Sequence, residues 1–215
     1  KRINVDLVYF TSPSQYSLYL EDTKFIITVP DVAHRENLEF PEIVGSSSSE
    51  YYRQDEILQK SLPRALAVIT NAEIIKKRIS FFYGVLDERI FVINNQPSNA
   101  IDNFKGIDLA KQKKIKELFK LSKNYIFYPS MYLPHKNHKN LIDALKILRL
   151  KFKIDLKMVF CGNDIGYLNN LKKYANKQNL KNYISFLDFI EDDYLPYLYL
   201  DAFALVMPSL IGPTA

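Results

Sequence analysis

The chain has 215 residues, of which 47% are hydrophobic and 25% charged, and its 29 Lys and Arg against 24 Asp and Glu leave a net charge of +5. These totals suit a folded protein of one or two domains with a sizeable core. The modest basic excess, with no aromatic stacking pattern among the lysines, argues against a dedicated nucleic-acid binder. One cysteine, Cys161, rules out an internal disulfide, and no apolar run reaches a membrane-spanning length without charges. No signal peptide precedes the first strand, and a start at Lys1 with a stop at Ala215 just after a strand reads as a fragment.

In chain order, residues 3–10 (INVDLVYF) and 24–30 (KFIITVP) read as buried strands. Asp31 to Gly45 reads as a polar loop holding His34, and Ser46–Ser49 as a flexible tip. Helical spacing runs from Glu50 to Ala67, kinked or divided by Pro63. A short strand, 67–70, leads to a helix over 73–83 that Asn71 can cap and Gly84 ends. After a strand at 89–94, periodicity is lost over 95–103, and a basic helix is expected near 105–122. Strands at 125–129, 155–161, 183–188 and 203–208 then alternate with helices at 138–150, 164–178 and 192–200. Such alternation predicts an α/β fold with mostly parallel sheets. The expected divisions are a first domain over 1–97, a linker with the basic helix over 98–124, and a second domain over 125–215.

Residues 125–138 (YIFYPSMYLPHKNH) are the most informative stretch. An apolar strand ends in a Pro-bounded loop, and Lys136 precedes Asn137, which can cap an amphipathic helix whose stripe is Leu141, Leu145 and Leu148. A lysine at a helix N-terminus opposes the helix dipole unless an anion is bound there, where ammonium, amides and dipole would share one phosphate. An exposed loop lysine is the ordinary alternative. Pro208, Ser209, Gly212, Pro213 and Thr214 form a second small-residue loop, able to hydrogen-bond a diphosphate or simply to turn the chain. Gly162 shares that ambiguity. Asp31 and His34 pair a carboxylate with a proton acceptor, although a loop histidine without a role is common. His135 and His138 lack partners for zinc, so no metal is expected. Neither a dinucleotide fingerprint nor a P-loop is present.

Together these tracts resemble the family-four GT-B glycosyltransferases. The resemblance rests on VPDVAHRENLEFPE and ITNAEIIKKRISFFYGVLDERIFVINN, then on PHKNHKNLIDAL, KMVFCGND, ISFLDFIEDDYLPYLY and DAFALVMPSLIGPT, in that order. It implies two Rossmann-like domains, both incomplete here, with a nucleotide-diphosphate sugar between them and metal-independent transfer. Lys136 matches the family's diphosphate-binding lysine, with Asn137 beside it. Ser209, Gly212 and Thr214 match the loop near the sugar and distal phosphate. Gly162 and the stretch Leu187, Asp188 and Ile190 fall where the nucleoside is held. His34, with Asp31 near it, matches a histidine lining the acceptor side. The chain departs from the pattern where Pro129-Ser130 replaces a frequent Gly-Arg and Asp188 a usual glycine, and the helix bearing paired glutamates would follow position 214.

The resulting expectation is transfer of a sugar from a nucleotide-diphosphate donor to a saccharide or lipid-linked acceptor, in bacterial surface-polysaccharide biosynthesis. The donor is a substrate and no cofactor is expected. The expected location is cytoplasmic, with peripheral contact to the anionic inner face of a membrane. The alternatives are a non-catalytic nucleotide-sugar-binding module and a nucleotide-sugar epimerase of the same fold.

Overall fold

A computed structural model describes residues 4–44, 48–96, 104, 106–121 and 124–212. The chain forms two compact units, one of Lys1–Gln96 with Ile211–Ala215 and one of Pro97–Leu210. Each holds a four-stranded, wholly parallel sheet, as the alternation of strands and helices predicts.

In the first unit the strands are β1 (Leu7–Phe10), β2 (Lys24–Thr28), β3 (Ala67–Thr70) and β4 (Ile90–Val92), in that spatial order. β1 is not the buried strand expected from its composition. It is an edge strand, and Leu7 and Tyr9 are exposed. Edge strands lack a neighbour on one side, which composition alone does not reveal. The loop expected over 31–45 contains two single-turn helices, α1 (Ala33–Glu36) and α2 (Pro41–Val44). Next, α3 (Ser48–Ser61) stops before Pro63, so the proline terminates the helix and kinks nothing. Asn71 does not cap α4 (Glu73–Tyr83); Ala72 holds the cap position without a side-chain bond. Gly84 does end α4, in the left-handed conformation at φ 64°. Phe25, Ile27, Leu58, Leu62, Val68, Ile75, Ile79 and Ile90 form the core of this unit.

The second unit contains α5 (Leu109–Leu118), β5 (Tyr125–Pro129), α6 (His138–Lys151), β6 (Lys157–Cys161), α7 (Leu168–Lys177), β7 (Ile184–Leu187), α8 (Leu195–Asp201) and β8 (Ala202–Leu205). Asp108 caps α5 by accepting from the Ala110 and Lys111 amides, a start signal that the basic pattern concealed. The spatial strand order is β7-β6-β5-β8. Both faces of β5 are covered, which explains its unbroken apolar run. Ile126 and Tyr128 pack with α6 and α7 residues Leu141, Ile142, Leu145 and Leu171. Tyr125 and Phe127 pack on the other face with Ile115 of α5 and Tyr197 and Leu198 of α8. Phe127 and Phe160 are completely buried. Each such side chain contributes roughly 1.5–3 kcal/mol through lost apolar surface. The order also places a switch point at β5, whose following chain turns back toward β6 while β8 lies on its other side. Ligands of open α/β sheets bind at the carboxyl ends of strands flanking such a point.

Candidate functional site

At the carboxyl end of β5 the chain leaves the sheet without leaving its neighbours. The Ser130 amide donates to Cys161 O at 2.8 Å and the Tyr132 amide to Asn163 O at 3.1 Å, extending the β5–β6 pairing past both strand ends. The buried Tyr132 hydroxyl reaches Leu187 O at 2.6 Å, at the end of β7. Gly162 is required by this packing, because a Cβ there would lie 2.3 Å from Ser130 O. Its structural role is therefore backbone close approach.

The same loop is fastened to the segment after β8. The Tyr128 hydroxyl donates to Lys136 O at 3.0 Å and lies 2.7 Å from Ser209 Oγ. A phenol has one proton, so when it is given to Lys136 O the serine must donate. Asn137 Nδ2 donates to Pro208 O at 3.0 Å, and the Leu210 amide to His135 O at 2.9 Å. Asn137 stands at the N-cap of α6 but makes no side-chain cap, a correction to its expected role. It adopts φ 61°, and its amide is spent on the Pro208 loop instead. The structure thus brings Lys136, Asn137 and Ser209 together at the switch point. Lys136 is half-buried at the end of a 3₁₀ turn, Pro134–Lys136, directly before α6.

Directly below this loop, His138 is fully buried, and neither ring nitrogen has a partner among the described residues. It packs against the rings of Tyr128, Tyr132 and Phe160. Burial, assisted by the positive charge of Lys136, lowers its pKa from 6.5 to about 4. It is neutral at physiological pH and fills space. Cys161 is buried as well, its thiol pushed up to about 12, and is inert.

Among the expected nucleoside-side residues, Leu187 is half-buried and Asp188 exposed. Ile190 is 8% exposed and joins the core with Val159 and Tyr197. Gly212 is half-buried, and Thr214 lies outside the described residues. Asp164, which sequence reasoning passed over, accepts from the Gly166 and Leu168 amides ahead of α7, and these bonds hold its carboxyl below the usual range.

In the first unit His34 is not a surface loop residue. It is 1% exposed on α1, with Nε2 3.0 Å from the Tyr83 hydroxyl of α4. That hydroxyl donates to Asp55 Oδ1 of α3 at 3.0 Å. Arg35 Nε lies 2.8 Å from the same oxygen, an ionic contact without hydrogen-bond alignment. Burial lowers the His34 pKa despite the Asp55 carboxylate, and raises that of Tyr83. Asp31 does not reach His34 through a hydrogen bond; its carboxylate accepts from the Ala33 amide at 3.0 Å and starts α1. Tyr83 and Asp55 were missed because they lie on other elements, and only an apolar helix bearing a buried Tyr hinted at one of them. Among the described residues, no group of three or more His, Cys, Asp or Glu could hold a metal ion. Nor is any described helix long and apolar enough to cross a membrane.

Comparison with known proteins bears on this arrangement. Residues 110–214, which hold the whole β5–β8 site, match the model of the family described as glycosyl transferases group 1. The chain is 29% identical over 154 residues to the O-antigen chain mannosyltransferase RfbU of Salmonella typhimurium, covering 72% of this chain and 38% of that protein. Its fold is that of the GT-B glycosyltransferases. Anabaena Alr3699/HepE, solved in complex with UDP-glucose, superposes with a TM-score of 0.70 at 19% identity, over 95% of this chain and 53% of that one. WaaG, a glycosyltransferase involved in lipopolysaccharide biosynthesis, gives a TM-score of 0.70 at 13% identity, over 95% and 54%. The chain therefore spans about half the length of these solved glycosyltransferases.

Proposed function

We propose that this chain is part of a glycosyltransferase that moves a sugar from a nucleotide-diphosphate donor to a saccharide or lipid-linked acceptor in bacterial surface-polysaccharide biosynthesis. The observation that carries the reading is the convergence of Lys136, Asn137 and Ser209 where the loops after β5 and β8 are bonded to each other. The N-terminus of α6 adds amide donors and a favourable dipole for a diphosphate. The family-model match over residues 110–214, the mannosyltransferase relative and the UDP-glucose complex of the Anabaena protein support the same donor class.

The chemistry is electrostatic. Bond breaking at the anomeric carbon leaves charge on the departing diphosphate, and the Lys136 ammonium with the α6 amides stabilises it more as that charge grows. Ser209, held by Tyr128, offers a hydroxyl to the distal phosphate or sugar. In the first unit, the Tyr83–Asp55 pair holds His34 in one orientation, and His34 positions the acceptor side. Calorimetry with a nucleoside diphosphate tests the donor site. Lys136→Ala should weaken binding by roughly one to two decades, the equivalent of about 1.5–3 kcal/mol for a charged contact. Unaltered affinity would reduce Lys136 to a loop residue.

A further inference from the structure

Side chains from α1, α3 and α4 meet in the first unit, and the protons they share decide how His34 works. Asp55 Oδ1 lies 3.0 Å from the Tyr83 hydroxyl and 2.8 Å from Arg35 Nε, and its Oδ2 accepts from Gln59 Nε2 at 2.7 Å. With a donor on each oxygen and a guanidinium beside it, this carboxylate is ionised and only accepts. The single phenol proton of Tyr83 therefore goes to Asp55 Oδ1. None is left to give to His34, so the 3.0 Å contact between His34 Nε2 and the Tyr83 oxygen is a bond donated by the imidazole. Burial lowers the His34 pKa and keeps the ring neutral. A neutral imidazole carries one N–H, and here that proton sits on Nε2. Nδ1 is then a bare acceptor, buried and without a partner among the described residues. The nearby Asp31 carboxylate is engaged by the Ala33 amide and has no proton to offer it.

We propose that Tyr83 and Asp55 are positioning residues that fix His34 in its Nε2–H tautomer, so that His34 meets the substrate through Nδ1, as the acceptor of a hydrogen bond from a sugar hydroxyl. The tautomer of a histidine is set by the bond its other nitrogen makes. The wrong tautomer would present a donor where an acceptor is needed. A buried acceptor without a donor is a cost to the fold, and a hydroxyl that reaches it removes that cost. An ionised phosphate has only acceptor oxygens to offer this nitrogen, whereas every free hydroxyl of a saccharide carries a proton. The inference deepens the transferase reading and rests on it for the nature of the hydroxyl. The tautomer itself is read without donor or acceptor, so the two can fail separately.

Nitrogen NMR of the full chain with isotope-labelled histidine shows which ring atom bears the proton, and His34→Ala identifies the His34 signals. The proton is expected on Nε2. Asp55→Asn supplies an amide that can donate to the phenol oxygen and release the phenol proton to Nε2, so the fraction protonated at Nδ1 should rise. Turnover with a panel of sugar nucleotides and saccharide acceptors tests the role. Tyr83→Phe should lower it by about tenfold, the scale of loss when a working histidine is deprived of its outer hydrogen-bond partner, with nucleoside diphosphate affinity unchanged. His34→Asn, whose amide oxygen can stand where Nδ1 does, should keep more turnover than His34→Gln, whose amide stands where Nε2 does. Within His34→Asn, Tyr83→Phe should add no further loss. A proton on Nδ1 in the parent chain overturns the proposal, as does higher turnover in His34→Gln than in His34→Asn. Equal losses from Tyr83→Phe with His34 and with His34→Asn overturn it too, and would mark the phenol as structural only.

Discussion

The hydroxyls of Tyr128 and Ser209, 81 positions apart in the chain, lie 2.7 Å from each other. One is the last aromatic of β5 and the other follows β8, so this buried phenol joins the Asn137–Pro208 and Leu210–His135 bonds in holding the two loops of the candidate donor site. Tyr128→Phe removes only that oxygen. It should cost about 1 kcal/mol of stability, the usual net worth of a hydrogen bond. It should also weaken nucleoside diphosphate binding, by less than Lys136→Ala does. Denaturant unfolding and calorimetry on the same preparation measure both, and unchanged binding would show that the Asn137–Pro208 and Leu210–His135 bonds hold the Ser209 loop without the phenol.

Gly162→Ala tests the close approach of the two loops. The added methyl would meet Ser130 O at 2.3 Å and Met131 N at 2.8 Å, both backbone atoms that cannot swing aside. Overpacking of this kind costs roughly 1–3 kcal/mol. The unfolding midpoint should fall accordingly, and a neutral substitution would mean the 130–131 backbone yields freely.

His138 predicts a pH dependence. Its pKa is lowered by burial from 6.5 to about 4, so protonation favours the unfolded chain. Its contribution to stability is intact above pH 6.5 and falls away as pH drops toward 4. His34, shifted in the same direction, adds to the trend. His138→Phe keeps a ring among Tyr128, Tyr132 and Phe160 and removes two buried nitrogens without partners. The variant should be at least as stable at neutral pH and should lose less stability on acidification. Urea titrations at several pH values check this, and parallel curves for the two proteins would contradict it.

His34 tests the first unit. His34→Ala should lower turnover by about a hundredfold or more and leave nucleoside diphosphate affinity nearly intact. Asp55→Asn keeps the shape of the buried pair but weakens its hold on Tyr83, so it should reproduce part of that loss. Steady-state kinetics beside calorimetry separates the two quantities. Unchanged turnover in His34→Ala would remove this histidine from the mechanism.

Much of this was legible in the residues, for reasons that also explain the failures. The β5 run YIFYP is apolar without alternation because both faces of the strand are covered, and its limits match the strand residue for residue. Lys136 and Ser209 could be paired because each follows a strand of one parallel sheet. β1 has a similar composition but lies at an edge, and neighbours are a property of topology rather than of composition. Asn137 reads as a cap, yet its side chain serves a loop 71 positions away. The partners of His34 come from α3 and α4, and no local spacing announces an Asp and a Tyr that meet only on folding. Single-turn helices such as α1 carry too few residues for a period to show.

The most direct test of the central claim is product formation from a panel of sugar nucleotides, offered with saccharide and lipid-linked acceptors to the protein and to Lys136→Ala. Transfer of sugar with release of nucleoside diphosphate is expected for at least one donor, with turnover lower by roughly one to two decades in Lys136→Ala. Tight nucleotide binding with no transfer from any donor would contradict it and mark a binding module. A donor returned with an inverted sugar centre and no transferred product would mark an epimerase.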